Sequence, residues 1–146
     1  MLKDTTLKES IYKRIREYLS HKREAILAYV FGSFLESDSF KDMDIALLLD
    51  AKIVGASEFP FPKFALKLAS ELERSVAPPR LDFDLKILNL TPIYFQYEVV
   101  KKGTLVFSRS EAELVQYEVR VISEYLDYKP TLEWFNNMLL SRISQW

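Results

Sequence analysis

The chain has no cysteine, which removes disulfides and thiolate-held metals from consideration. Its single histidine, His21, leaves too few parts for a histidine-ligated metal or a serine–histidine triad. Neither sign of charge dominates, since 20 basic residues stand against 21 acidic ones. A strongly basic nucleic-acid-binding surface is therefore not supported, and no direct nucleic-acid contact is expected. A small nucleotide remains compatible with that balance. A signal peptide, a long uncharged apolar run, internal repeats and low-complexity segments are all missing. The expectation is a cytoplasmic protein with no membrane association. Any metal would have to be a hard ion held by oxygen.

What is present is apolar material for a sizeable core. Hydrophobic residues make up 49% of the 146 and aromatics 14%. The length suits a single domain, residues 1–146, with a core over about 22–108 and C-terminal helices over about 110–146.

Thr6 and Glu9 have capping-box spacing ahead of an apolar stripe at Leu7, Ile11, Ile15 and Tyr18, which predicts a helix to about Leu19. Short apolar runs predict buried strands over Ile26–Phe31 and Met43–Leu49. Residues 51 to 61 read as a loop, followed by a helix from about Pro62 to Val76 that Pro78-Pro79 ends. Leu81–Leu88 alternates, with Phe83, Leu85 and Ile87 on one side and Asp82, Asp84 and Lys86 on the other. Thr91-Pro92 and Gly103 bound another helix, and Thr104–Phe107 reads as a short edge strand. Ser110 and Glu113 open a helix to about Tyr125. After Lys129-Pro130 a separate helix is expected from Leu132, with Phe135, Leu139 and Ile143 on its apolar face. The C-terminal aromatics Tyr117, Tyr125, Tyr128, Trp134 and Phe135 read as core. Trp146, with little chain left to bury it, reads as an interface residue. The fold class expected is α/β: a small layer of strands and helices with helical C-terminal material.

Chemistry concentrates in the stretch YVFGSFLESDSFKDMDIALLLD, Tyr29 to Asp50. An apolar strand runs into Gly32-Ser33, and a turn leads back through Asp42-Met43-Asp44 into a second apolar strand. Side chains alternate on a strand, so Asp42 and Asp44 share one face. If the third strand lies alongside, Asp84 or Asp82 joins them. Converging carboxylates repel unless a cation sits between them, and carboxylates suit Mg²⁺. Glycine lets the backbone approach a phosphate, and Ser33 adds a hydroxyl donor. Metal and phosphate donors together point to phosphoryl or nucleotidyl transfer. The same aspartates are also of the type that caps turns and starts strands, and Gly-Ser by itself is a common turn. Lys101-Lys102 reads as complementing a helix C-terminus. Lys41 and Lys86 read as solvated charges, with phosphate contact as the alternative, and an Asp84–Lys86 surface pair is the plain reading of that aspartate.

"FGSF", eight residues, then "DMDIALLLD" resembles the glycine-serine…Asp-x-Asp motif of the polymerase-β-like nucleotidyltransferase superfamily. With "DFDLKILNLTPIYFQYEVVKKGTLVFS" and "YEVRVISEYLDYKP", the chain resembles a minimal nucleotidyltransferase antitoxin of HEPN toxin–antitoxin pairs. The resemblance implies the small mixed sheet of that superfamily. It implies transfer of AMP from ATP, with Mg²⁺, to a tyrosine hydroxyl of a partner HEPN-domain RNase toxin, which silences the toxin. It implies phosphate binding by Gly32 and Ser33. It implies metal ligation by Asp42 and Asp44, and by Asp84 as third carboxylate, which would also help deprotonate the acceptor; Asp82 shares its face and competes. A hetero-oligomer with the toxin or a homodimer is expected. Relatives carry an arginine-glycine soon after the serine, where this chain has Phe34-Leu35-Glu36-Ser37. That departure motivates a rival, an antitoxin that neutralises its partner by contact alone. Transfer to a small molecule is a third reading.

Overall fold

The segment AILAYVF is apolar at every position, so it has no side to offer water, and it forms a central strand. The computed structural model describes residues 2–32, 42–55, 61–76 and 82–144. In chain order the elements are α1 (Leu2–Ser20), β1 (Ala25–Phe31), β2 (Asp42–Leu49), α2 (Ala51–Gly55), α3 (Phe61–Val76), β3 (Asp82–Ile87), α4 (Ile93–Lys102), β4 (Thr104–Ser108) and α5 (Glu111–Ser144). A single 3-10 turn, Leu88–Leu90, follows β3.

The four strands form one mixed sheet in the order β3-β2-β1-β4. β1 pairs antiparallel with β2 and with β4, and β2 pairs parallel with β3. The expected edge position of β4 is observed. A parallel pair needs a crossover, which α2 and α3 supply. Alternation then sorts each strand between two layers. Met43, Ile45, Leu47 and Phe83 pack with Ile11 and Ile15 of α1 and Leu68 and Leu72 of α3. Ala46, Leu48, Leu27 and Tyr29 pack with Val99 of α4 and Tyr117 and Val121 of α5. The acids of β2 and β3 belong to this second face, beyond the part the helices cover.

Three boundaries differ from the sequence reading. α1 starts at Leu2, so Thr6 lies inside the helix rather than capping it. Nothing in residues 2–5 breaks a helix, so the capping spacing does not decide where it begins. Residues 51–55 are helical rather than loop, because the Asp50 carboxylate accepts hydrogen bonds from the Lys52 and Ile53 amides at 3.0 and 3.4 Å. The rest of that expected loop up to residue 60, and Pro78-Pro79, lie outside the described residues.

The C-terminal region runs as one 34-residue helix through Pro130 instead of breaking before it. Proline removes one helical N–H and crowds the preceding turn, at a cost of about 3 kcal/mol in a helix interior. Here the surrounding residues are exposed, so carbonyls left without a helical donor reach water. Tyr117 is buried and Tyr125 stacks on Tyr97 at 3.8 Å, as core placement requires. Tyr128, Trp134 and Phe135 are exposed, against the core reading, because α5 outruns the sheet that would cover them. Trp146 lies outside the described residues. Among the described residues, no helix is long and apolar enough to cross a membrane.

Arg109 ties the sheet to the start of α5. Its guanidinium donates to the Arg23 carbonyl at 3.0 Å, to Asp50 at 3.1 Å and to Glu113 at 2.9 Å. Arg109→Ala is expected to lower stability in urea unfolding by about 1–2 kcal/mol, the modest end for charged hydrogen bonds because the cluster is partly solvated. The Arg109 hydrogen bond holds the Glu113 carboxyl below its ordinary range. This contribution is therefore full above about pH 4.3, the unfolded value for glutamate, and is lost as pH falls through the lowered native value.

Candidate active site

Two strand entrances carry the site. Asp42 and Asp44 open β2, and Asp82 and Asp84 open β3. The parallel register sets Asp42 beside Asp82 and Asp44 beside Asp84. Register partners point to the same face. All four acids therefore stand on one side, while Met43 and Phe83 between them are buried on the other. Asp42, Asp82 and Asp84 are exposed and Asp44 is half-buried.

Gly32 closes the site from β1. Phe31, its neighbour, is the register partner of Asp44. Gly32 has φ +79°, and a Cβ built on it would lie 2.6 Å from Asp44 Oδ2. The glycine thus serves two needs, a left-handed turn and direct backbone approach to a carboxylate. The Phe31 ring meets Phe95 edge-on at 5.5 Å, making an apolar wall beside the acids. Ser33, expected to bind phosphate with Gly32, lies outside the described residues, as do Glu36 and Lys41.

Burial raises the Asp44 carboxyl above its ordinary range, and the neighbouring Asp84 carboxylate raises it further. Lys86 opposes that shift, Asp42 adds to it, and the Asp44 and Asp84 carboxyls are close enough to hydrogen-bond. Lys86 Nζ is 3.7 Å from Asp84 Oδ2. Among the described residues, no three acids are drawn together as an ion cage. Asp44 and Asp84 are nevertheless brought together, with Asp42 and Asp82 one step behind.

Sequence reading favoured Lys86 as a solvated charge and weighed a surface pair with Asp84; the two side chains do stand together, two residues apart on one face of β3. A separate cavity of about 400 Å³ is lined by Leu48, Asn89, Gln96, Arg120 and Glu124 among others. Leu48 is four residues beyond Asp44, roughly 13 Å along the strand, and none of the four acids lines the cavity.

A donor set of carboxylate oxygens suits a hard cation such as Mg²⁺. Burial is the main reason Asp44 is raised, and the Asp84 and Asp42 carboxylates that add to it are the physical sign that a cation would be welcome there. Asp44 and Asp84 set such oxygens side by side at the strand entrances.

No curated protein sequence matches the chain. Solved structures do. A chain of the MntA–HepT toxin–antitoxin crystal structure is similar with a TM-score of 0.64, at 20% identity over 89% of this chain and 97% of that one. A toxin–antitoxin structure with AMP-PNP gives 0.62, at 22% identity over 88% and 98%. A tri-AMPylated Shewanella oneidensis HEPN toxin in complex with MNT antitoxin gives 0.62, at 20% identity over 94% and 98%. At these identities the likeness carries the fold. The family model for polymerase beta nucleotidyltransferases matches residues 13–112, a span that takes in both aspartate pairs and Gly32. On that match, the chain belongs to the polymerase beta nucleotidyltransferase family.

Proposed function

We propose that this protein transfers AMP from ATP to a tyrosine hydroxyl of a HEPN-type RNase toxin and thereby silences it. The observation that carries the reading is the pairing of Asp44 with Asp84 in register, against the Gly32 bend. Support for the partner comes from the similar structures, which are toxin–antitoxin complexes, one of them holding a tri-AMPylated HEPN toxin.

In the reaction the tyrosine oxygen forms a bond to the α-phosphorus of ATP. The bond from that phosphorus to the bridging oxygen breaks, and pyrophosphate leaves with the electron pair. The tyrosine proton goes to a carboxylate oxygen of Asp84 and then to water. Asp84 suits this role because it is exposed, while half-buried Asp44 lies deeper. Gly32 admits the Asp44 carboxylate at the strand end; the Gly32 amide and the Ser33 hydroxyl would donate to a phosphate. Phe31 and Phe95 exclude water from one side, which strengthens each charge interaction in the site. Bound at Asp42, Asp44 and Asp84, Mg²⁺ would neutralise the polyphosphate and polarise the transferring group.

A second reading is neutralisation by contact alone. The absence of a three-acid cage among the described residues favours it. The two separate in one experiment, incubation with α-labelled ATP, Mg²⁺ and the toxin. Label on toxin tyrosine is expected. A toxin that is neutralised yet unlabelled would overturn the transfer reading and leave the contact reading standing.

A further inference from the structure

We infer that Lys86 is a displaceable counter-ion: its ammonium neutralises the Asp44–Asp84 pair in the ion-free protein, yields to an incoming divalent cation, and then faces the nucleotide's phosphates. The inference rests on the metal site of the proposed function and adds a residue to it.

Four observations converge on this lysine. Its ammonium stands 3.7 Å from Asp84 Oδ2. The side chains of both partners are about half exposed, at 52% and 58%, so the pair is free to separate. Its register partner is Ala46, whose methyl is too short to fence the ammonium off from Asp44, two residues earlier on the same face. Lys86 is also the one cation in the sequences of β2 and β3, which together carry four aspartates on that face.

Charge then dictates the order of events. A polyphosphate is repelled by four carboxylates, and one ammonium does not balance them. A divalent ion balances the Asp44–Asp84 pair, and it competes with the ammonium for Asp84. Like charges at contact distance repel, so the ammonium leaves as the ion enters. The long flexible stem of lysine allows the move without backbone change. The freed ammonium is then a positive group beside the ions, where a phosphate arrives.

The test is calorimetric titration of Mn²⁺, without nucleotide, into the parent, Lys86→Met and Lys86→Arg. Lys86→Met is expected to bind the ion roughly three- to tenfold more tightly, because one repelling charge is gone. At saturating Mn²⁺, the same variant is expected to bind a non-hydrolysable ATP analogue several-fold more weakly. Lys86→Arg should keep both values near the parent's. A merely structural lysine would not tighten ion binding when removed. Ion affinity in Lys86→Met equal to or weaker than the parent's overturns the inference alone. A parent that binds no ion overturns the metal site and the inference together. Melting in the presence of chelator and of Mn²⁺ checks that each variant is folded.

Discussion

Asp44→Asn is expected to abolish nucleotidyl transfer, by about 10³-fold or more, equivalent to about 4 kcal/mol of transition-state stabilisation. The same change should leave the protein folded. Asp44 is the acid that Gly32 and Asp84 both approach. An amide keeps its shape but offers one neutral oxygen where a charged carboxylate is needed to hold a cation. Stability should move the other way. Burial and the Asp84 carboxylate raise the Asp44 pKa, so its charged form opposes folding at neutral pH. That penalty is present above the raised native value. It fades as pH falls, and is absent below about 4, where the unfolded group is protonated too. The asparagine variant should therefore melt at or slightly above the parent's temperature at pH 7, with the gap closing near pH 4. Turnover measured with labelled ATP, beside melts at both pH values, checks the two halves. An Asp44→Asn protein that transfers AMP at the parent's rate would sink the assignment of this carboxylate.

Gly32→Ala should lower stability by about 1–2 kcal/mol, the cost of a left-handed conformation with a Cβ. For a chain of this size that is a fall of roughly 3–8 °C in melting temperature. It should also lower transfer by about 10²-fold, because an added methyl lies 2.6 Å from Asp44 Oδ2 and must push that carboxylate aside. Gly55 supplies the control. It is exposed, its φ is not in the left-handed range, and a Cβ there meets nothing within 4 Å. Gly55→Ala should change neither quantity by more than a few tenths of a kcal/mol or a factor of two. If both alanine variants behave alike, the close approach at Gly32 has no catalytic consequence.

The strands of this protein are written plainly in its sequence. Apolar runs mark β1 and β2, alternation marks β3, and Thr91-Pro92 with Gly103 brackets α4. Alternation also placed Asp42 and Asp44 on one face. It could not rank Asp82 against Asp84, because both share a face whatever the register. Only the pairing of β2 with β3 sets Asp84 beside Asp44 and Asp82 beside Asp42. The short α2 was hidden for another reason. Its signal is one capping aspartate, Asp50, before five residues, too few to show a helical period. Pro130 misled because a proline's penalty is real yet affordable on a solvated helix. The Lys86–Asp84 pair was legible as a two-residue spacing on one face, though spacing alone does not tell a surface pair from a solvated lysine.

Beyond Leu126 the residues of α5 are exposed, apart from half-buried Leu132 and Met138. The chain has two tryptophans, and Trp134, 64% exposed, sits on this outlying stretch; Trp146 follows it in sequence. Among the described residues, no indole belongs to the sheet or to its two apolar layers. The Trp134 emission, excited at the red edge, therefore reports on the outlying part of α5 rather than on the strands that hold the aspartates. A fluorescence transition that comes earlier than the circular dichroism one would show the outlying helix melting before the sheet, a departure from two-state unfolding confined to that end.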